Sequence, residues 1–178
     1  MAALTVAHLD SEQAALVLAA QGGDRAAFGT LYEQYARMVH GILLAHVSYT
    51  EAEDLLQEVF LRAMEQLRSL RDPGAFGGWI AAIARRSTID RQRKQRPDQE
   101  LRDEPGGSRP DREAFAILDA IQALPQAYRE TLTLRLVEGM TGPEIAARTG
   151  RTPESVRVNL CRGMKQLRAA LRGNASHE

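Results

Sequence analysis

The spacing of apolar residues predicts a chain built of helices. One apolar stripe follows Asp24 at three- and four-residue intervals: Phe28, Leu31, Tyr32, Tyr35, Val39, Ile42, Leu43 and His46. This spacing places them on one face of a long helix, and Asp24 is positioned to cap its first turn. A shorter helix is expected before it, from about residue 10 to residue 21, ended by the glycines at 22–23. Residues 1–8 carry no pattern.

The next helix is predicted to carry an acidic outer face. Thr50 with Glu53 has the spacing of a capping box, which marks a helix start. One outward face then gathers residues at helical spacing: Asp54, Gln57, Glu58 and Leu61. A solvated face has the same pattern, although a leucine among acids favours a docking surface. Residues 69–78, rich in glycine, are expected to form a loop leading into a helix over 79–96.

The helix over residues 79–96 is strongly basic. Its apolar stripe includes Trp79, Ile80 and Ile83, whereas its other faces carry six cations within twelve residues: Arg85, Arg86, Arg91, Arg93, Lys94 and Arg96. Clustered cations repel one another in water, so a polyanion is the partner that best offsets their charge. A solvated basic helix is the alternative, and the C-terminal part of the chain favours the polyanion.

The C-terminal part has the pattern of a helix-turn-helix. Thr141 with Glu144 predicts a capped short helix, Gly150 suits the left-handed turn that ends it, and Pro153 suits the first turn of a longer basic helix. This order is that of DNA-binding helix-turn-helix units, with an ordinary helical hairpin as the alternative. The outward residues that would meet bases and phosphates are Thr152, Glu154, Ser155, Arg157, Val158, Arg162 and Lys165.

The two patterned parts are separated by a proline- and glycine-rich stretch. Residues 97–112 hold Pro97, Pro105, Gly106, Gly107 and Pro110 among mixed charges. Such a composition predicts a flexible linker. We therefore expect an all-α protein with two small helical domains, over residues 9–96 and 113–172, joined by this linker.

Composition narrows the class of protein. A chain of 178 residues, 44% hydrophobic and 26% charged, can fold as one ordinary domain or two small ones. Its one cysteine, Cys161, excludes an internal disulfide framework and agrees with a reducing compartment. The longest apolar runs are too short to span a bilayer, and the N-terminal residues lack the pattern of a signal peptide. A cytoplasmic location without membrane insertion is expected.

Catalytic motifs are missing from the sequence. It contains no phosphate-binding glycine loop, no His-Glu-x-x-His, no dinucleotide fingerprint and no paired Cys-x-x-Cys. The four histidines are scattered, and His46 on the apolar stripe suits a satisfied core or boundary position better than a metal site. No enzymatic activity, cofactor or metal is expected.

Together these stretches resemble the extracytoplasmic-function (ECF) sigma factors of bacterial RNA polymerase. Residues 54–60 (DLLQEVF) are similar to the family's core-binding helix, and the basic helix from Trp79 is similar to its minus-ten reading helix. Residues 124–171 are similar to the domain that reads the minus-thirty-five element. The resemblance covers residues 11–172, with the motifs in the family's order.

The resemblance implies a function and its residues. The chain would bind core RNA polymerase and direct promoter recognition and transcription initiation, and an anti-sigma factor commonly holds such proteins inactive. The implied polymerase contacts are Asp54, Gln57, Glu58 and Leu61. The implied contacts to the melted minus-ten element are Arg71, Phe76, Trp79, Arg85, Arg86, Arg93 and Lys94. The helix-turn-helix residues Thr152, Glu154, Ser155, Arg157, Val158, Arg162 and Lys165 would read the minus-thirty-five element in promoter DNA.

Three positions depart from the family pattern and leave the promoter sequence open. Arg86 stands where Asn is frequent, Asn159 where Arg or Lys is common, and Gly163-Met164 where Ala-Arg is frequent. Two other functions stay open at this point. One is a stand-alone helix-turn-helix regulator, which would bind duplex DNA without polymerase, and the other is a sigma relative that serves only as a protein-binding adaptor.

Overall fold

The computed structural model describes the backbone of residues 2–95 and 117–174, and side chains of residues 12–94 and 117–172. Over these residues the chain forms helices without strands: α1 (Ala2–Gln21), α2 (Arg25–Leu44), α3 (Tyr49–Gln66), α4 (Phe76–Gln95), α5 (117–122), α6 (Gln126–Leu136), α7 (Gly142–Thr149) and α8 (Pro153–Asn174). The all-α class is confirmed. The predicted linker over residues 97–112 lies outside the described residues.

Helix α2 is the central element of the N-terminal unit, which comprises α1 to α4. The Asp24 side chain accepts hydrogen bonds from the amides of Ala26 (2.8 Å) and Ala27 (3.1 Å), as the predicted cap requires. Leu31 and Ile42 on its apolar stripe are fully buried. These caps and buried positions fix α2 as the helix against which α1, α3 and α4 pack.

Helix α3 begins two residues earlier than its predicted capping box. The Glu51 carboxylate accepts hydrogen bonds from the Ser48 amide (3.2 Å) and hydroxyl (2.8 Å), so Ser48 and Glu51 form the box in place of Thr50 and Glu53. Because the helix starts at Tyr49, Glu51 is its third residue and reaches the cap, whereas Glu53 lies beyond it.

The loop between α3 and α4 is shorter than the predicted span of residues 69–78. Two short 3-10 turns, Leu67–Ser69 and Pro73–Ala75, connect the helices, and α4 already begins at Phe76. Gly77 therefore lies in the helix. A β-carbon there would lie 2.3 Å from the Arg148 carbonyl oxygen, so this glycine permits close packing and does not form a turn.

Helix α1 is also longer than predicted, since it begins at Ala2. Its buried Val17 packs into the core of the unit. The Gln21 side-chain amide donates to the carbonyl oxygens of Leu67 (2.9 Å) and Leu70 (2.8 Å). The end of α1 thus holds the loop that leads to α4.

The predicted helix-turn-helix is confirmed in the C-terminal unit, which comprises α5 to α8. The Glu144 carboxylate accepts from the Thr141 amide and hydroxyl (both 2.7 Å), which closes the predicted capping box of α7. Gly150 ends α7 in the left-handed region, with φ of +69°, and α8 begins at Pro153. Gly163 lets α6 and α8 approach, because a β-carbon there would lie 3.0 Å from the Leu132 side chain.

Apolar residues near three helix ends are exposed. Leu136 and Leu171 lie in the last turns of α6 and α8, and Met64 lies near the end of α3. A helix end has fewer neighbours to pack against than a helix centre, so the apolar stripe is covered only in its middle.

The two units share one continuous apolar core. Leu134 of α6 and Ile145 of α7 belong to the same buried cluster as Met38 and Ile80 of the N-terminal unit. A smaller cluster around Ile121 holds α5, α6 and α8 together. Both DNA-binding candidates, α4 and α8, are therefore held on one packed body.

Candidate nucleic-acid interface

The basic helix α4 divides its cations between solvent and acidic partners. Arg86, Arg93 and Lys94 are exposed. The Arg91 guanidinium lies 3.5 Å from the Glu58 carboxylate of α3, whereas Arg85 is half-buried against the C-terminal unit. Arg96, the last cation of the predicted cluster, lies outside the described residues. The exposed cations form a positive surface that suits the backbone of a nucleic acid.

Arg85 forms a two-point ion pair with Glu130 of α6. Its Nε atom lies 2.9 Å from Oε2 and its Nη2 atom 2.6 Å from Oε1, and Arg151 Nη2 lies 3.4 Å from both oxygens. The Glu130 side chain is only 5% exposed. Burial alone would raise the pKa of Glu130, but the hydrogen bond and charge of Arg85, with the charge of Arg151, hold that pKa below its usual value.

The aromatic part of the predicted strand-binding surface is largely packed inside the protein. Phe76 has no exposed surface, with its ring 5.1 Å from that of Tyr35 and 5.8 Å from that of Trp79. Trp79 is half-buried against the core, and Arg71 on the preceding loop is exposed. The start of α4 places Phe76 in the core. Its ring therefore packs against Trp79 and is not accessible to a DNA strand in this conformation.

The acidic face of α3 is open to solvent along its length. Its four predicted polymerase contacts are all exposed: Asp54, Gln57, Glu58 and Leu61. Leu61 is 57% exposed, and Met64 beside it is 51% exposed. Met64 was not among the residues predicted for this face and adds a second apolar side chain to it. An apolar pair bordered by carboxylates is a common composition for a protein-docking surface.

The predicted reading face of α8 is also open. Exposed side chains along it are Thr152, Glu154, Arg157, Arg162 and Lys165, with Ser155 and Val158 half-buried. Thr152 caps the helix, since its hydroxyl accepts from the Ser155 amide at 3.2 Å. The Arg157 guanidinium lies 2.6 Å from Glu154, and both side chains are more than two-thirds exposed. This pair is weak enough for Arg157 to turn toward a base or phosphate and for Glu154 to turn toward a base donor.

The contacts between the two units were not foreseen from the sequence. The Glu138 carboxylate, just after α6, accepts a hydrogen bond from His40 Nδ1 at 2.8 Å, and the Glu138 carbonyl oxygen accepts one from Arg37. The Gln122 side-chain amide donates to the carbonyl oxygens of Leu44 (2.7 Å) and Val47 (3.0 Å). These partners are far apart in the chain, so helical spacing carries no signal for them.

His46 occupies the boundary position that its spacing predicts. Burial lowers its pKa, an effect that Glu130 opposes and that Arg129 and Arg85 reinforce. Within residues 12–94 and 117–172, His, Cys, Asp and Glu side chains do not gather in groups of three suited to a metal ion. Among the described helices, none is both long and apolar enough to cross a bilayer.

Comparison with known proteins identifies both halves of the chain. Residues 31–97 match the sequence family of sigma-70 region 2, and residues 114–167 match sigma-70 region 4. The sigma factor CarQ of Myxococcus xanthus is 34% identical over 160 residues, which cover 84% of this chain and 91% of CarQ. The ECF sigma factor BldN of Streptomyces coelicolor is 30% identical, over 90% of this chain and 66% of BldN.

Solved structures agree in fold. CnrH, solved in complex with the cytosolic domain of CnrY, is similar with a TM-score of 0.64 and 24% identity, over 90% of this chain and 97% of that chain. The sigma factor RpoE of Bartonella quintana, solved with the anti-sigma factor NepR, has a TM-score of 0.57 and 19% identity, over 82% and 96%. With the two sigma regions in order and a relative matched almost end to end, the chain belongs to the ECF sigma factors of bacterial RNA polymerase.

Proposed function

We propose that this sigma factor uses three separate surfaces in transcription initiation. The α3 face of Asp54, Gln57, Glu58 and Leu61 docks on core RNA polymerase, the α4 surface holds the melted minus-ten strand, and the start of α8 reads the minus-thirty-five duplex. The observation that carries this assignment is the exposure of an acidic, apolar face on α3 together with exposed cations on α4 and α8. Residues 9–96 and 113–172 would be the two domains, joined by residues 97–112.

The chemistry of the α4 surface suits a melted strand. Arg86, Arg93 and Lys94 are placed to neutralise phosphates, and Trp79 supplies an aromatic ring for stacking. Arg71 lies on the loop beside them, where an extruded base would enter, and Phe76 holds Trp79 in place. Arg85 joins this surface only after it leaves Glu130.

The chemistry of the α8 surface suits intact duplex. Ser155, Arg157 and Val158 lie in the first turns of the helix, where base edges are read, while Arg162 and Lys165 lie further along for phosphates. If the two surfaces neutralise about six phosphates, log affinity falls with log salt at a slope of roughly −5. None of the residues in these proposed roles performs a chemical step, as expected for an initiation factor. The proposed place of action is the cytoplasm.

The reach of the chain is compatible with a two-element promoter. Elements about 17 base pairs apart lie roughly 58 Å apart at 3.4 Å per pair. Residues 97–112 span about 55 Å when fully extended, and the widths of the two units add to this. Two weak DNA contacts linked in this way reinforce each other through effective concentration once polymerase holds them in place. We also expect an anti-sigma factor to bind this chain.

In vitro transcription with core polymerase tests the assignment. Glu58→Arg reverses a charge in the centre of the α3 face, and we expect polymerase binding about tenfold weaker with duplex binding unchanged. Glu12→Arg makes the same change on α1, outside this face, and serves as the control. Arg157→Ala is expected to relax sequence preference at the minus-thirty-five element by about 1–3 kcal/mol across a promoter library.

Three results would contradict the assignment. A Glu58→Arg variant that binds polymerase as tightly as the Glu12→Arg control would remove the docking role of α3. An unchanged promoter preference in Arg157→Ala would move the reading residues elsewhere. Absence of any association between the wild-type chain and core polymerase would favour a stand-alone regulator.

A further inference from the structure

We propose that Arg91 of α4 is a further strand-binding residue, which Glu58 of α3 neutralises in the free chain and which docking of core RNA polymerase releases. The inference rests on the proposed function, because the polymerase contact of Glu58 and the strand contacts of α4 are taken from there. It adds a residue to the strand-binding surface and links that surface to polymerase docking through one shared carboxylate.

The Glu58 carboxylate belongs to both surfaces. It lies on the exposed α3 face, where a cation of a docking partner can reach it, and its side chain is 47% exposed. Its Oε1 atom lies 3.5 Å from Nη2 of Arg91 on α4, and its Oε2 atom lies 3.8 Å from Nη2 of Arg62 on its own helix. Ion pairs of this length in contact with solvent are weak. A partner that forms a closer, charge-assisted hydrogen bond with Glu58 can therefore displace Arg91.

Arg91 lies beside the exposed cations of the strand-binding surface. It precedes Lys94 by three residues, so the two side chains are neighbours on the surface of α4. The Arg91 side chain is 27% exposed and is therefore in contact with solvent. While Glu58 lies against it, the carboxylate offsets its charge and repels a phosphate. Engagement of Glu58 elsewhere would add one available cation to the surface.

The second cation beside Glu58 is held by other partners as well. Arg62 Nη1 lies 3.8 Å from the Asp90 carboxylate and donates to the Ser87 hydroxyl at 3.3 Å. Arg91 differs, because in the described part of the chain Glu58 provides the carboxylate within 4 Å of its guanidinium and no other residue does. Engagement of Glu58 by a partner would therefore release Arg91 and leave Arg62 in place.

The exchange couples polymerase docking to strand binding. In the free chain Glu58 neutralises Arg91, whereas in the holoenzyme Glu58 faces a cation of the polymerase and Arg91 faces the strand. Because coupling between two binding sites is reciprocal, a bound strand also strengthens polymerase binding by the same factor. The pair of Glu58 and Arg91 is partly exposed, so this factor is expected to be small, about threefold.

A matched pair of acid-to-amide variants tests the exchange in the free chain. Glu58→Gln removes the carboxylate that meets Arg91. Glu65→Gln removes the same charge from an exposed position on the same helix, where the described residues form no ion pair with it. Binding of a fluorescent single-stranded minus-ten oligonucleotide is measured at low salt without polymerase. Glu58→Gln is expected to bind about threefold more tightly than Glu65→Gln. Its log affinity should also fall more steeply with log salt, by about 0.7, for one added phosphate contact.

Removal of Arg91 identifies the cation that is released. Arg91→Gln combined with Glu58→Gln is expected to bind the oligonucleotide no better than Arg91→Gln combined with Glu65→Gln. In the holoenzyme, formed with saturating core polymerase, Arg91→Gln alone is expected to weaken strand binding about three times more than it does in the free chain. This difference measures the release of Arg91 by the polymerase.

The exchange would be overturned by equal strand affinities of Glu58→Gln and Glu65→Gln, or by a gain that persists without Arg91. An Arg91→Gln loss of the same size with and without polymerase would overturn it as well. Circular dichroism is expected to show wild-type helix content in all variants, because the changed side chains are in contact with solvent. Association of the wild-type chain with core polymerase is measured in parallel. Failure of the proposed function is thereby seen separately, since the comparison of Glu58→Gln with Glu65→Gln needs no polymerase.

Discussion

The two basic helices of this sigma factor hold their arginines in different ways. Arg85 on α4 is paired with Glu130, a buried carboxylate of the C-terminal unit. Arg157 on α8 is paired with Glu154 on its own exposed face. An exposed pair is worth at most about 1 kcal/mol and exchanges readily for a phosphate. Separation of Arg85 from Glu130 requires part of the molecule to move. Under the proposed assignment, Arg157 of α8 can turn to DNA without rearrangement, whereas Arg85 of α4 becomes available to a strand only after it leaves Glu130.

The largest expected effect is a difference in stability between the variants that remove Arg85 and Arg157. Arg85→Ala leaves the buried Glu130 carboxylate with only the longer Arg151 contact, and we expect the free energy of unfolding to fall by about 3 kcal/mol. Arg157→Ala removes an exposed pair and is expected to cost less than about 1 kcal/mol. Urea unfolding followed by circular dichroism measures both. Equal losses would show that the two arginines are held alike.

A smaller effect is expected from the turn that positions α8. Gly150→Ala places a side chain at φ of +69° and is expected to destabilise the protein by about 1–2 kcal/mol, and its methyl group would press on Gly78. Gly139→Ala has nearly the same positive φ, +65°, and its methyl group would meet only the end of the Arg37 side chain at 3.7 Å, so it controls for the backbone strain. Thermal melts compare the two. An equal or larger loss at Gly139 would contradict a special role for the turn at Gly150 and its neighbour.

Acid is expected to act on the two units in different pH ranges. Burial lowers the pKa of His46 from 6.5, so its contribution to stability is present above pH 6.5 and is lost as pH falls through the lowered pKa. Hydrogen bonds from the Thr141 amide and hydroxyl lower the pKa of Glu144 from 4.5, so the α7 cap weakens only as pH falls below 4.5. Glu130 adds to this lower range.

Unfolding midpoints from pH 8 to pH 3 test the two ranges. His46→Gln is expected to flatten the loss that begins below pH 6.5, and Glu144→Gln is expected to reduce only the loss below pH 4.5. A wild-type midpoint that stays constant from pH 7 to pH 5 would contradict the assigned burial of His46.

Local chemistry made much of the fold predictable. The caps at Asp24 and Thr141 and the turn at Gly150 depend on residues within four positions of one another, so the sequence displays them directly. The exposed face of α3 follows from helical spacing in the same way. The capping box of α3 was misplaced because Ser48 with Glu51 and Thr50 with Glu53 have the same spacing, and only the true helix start distinguishes them.

Contacts between distant residues were not predictable in this way. The pair Gly77-Gly78 has the composition of a loop, yet it lies in α4, where the C-terminal unit approaches the helix closely. Glu130 is separated from Arg85 by 45 residues, and one acid among many gives no sign of its partner. Phe76 was expected at the DNA surface on resemblance, whereas its burial depends on where α4 begins. Tertiary packing decides each of these cases.

The amide of Gln21 has a practical consequence for work with fragments. It donates hydrogen bonds to the carbonyl oxygens of Leu67 and Leu70, just before the loop that carries Arg71. Helix α1, which contains Gln21, lies before residue 31, where the match to sigma-70 region 2 begins. The hydroxyl of Tyr35 likewise donates to Gln13. A polypeptide trimmed at that homology boundary would retain the side chains proposed to touch a promoter and yet lack the brace that keeps their loop in shape.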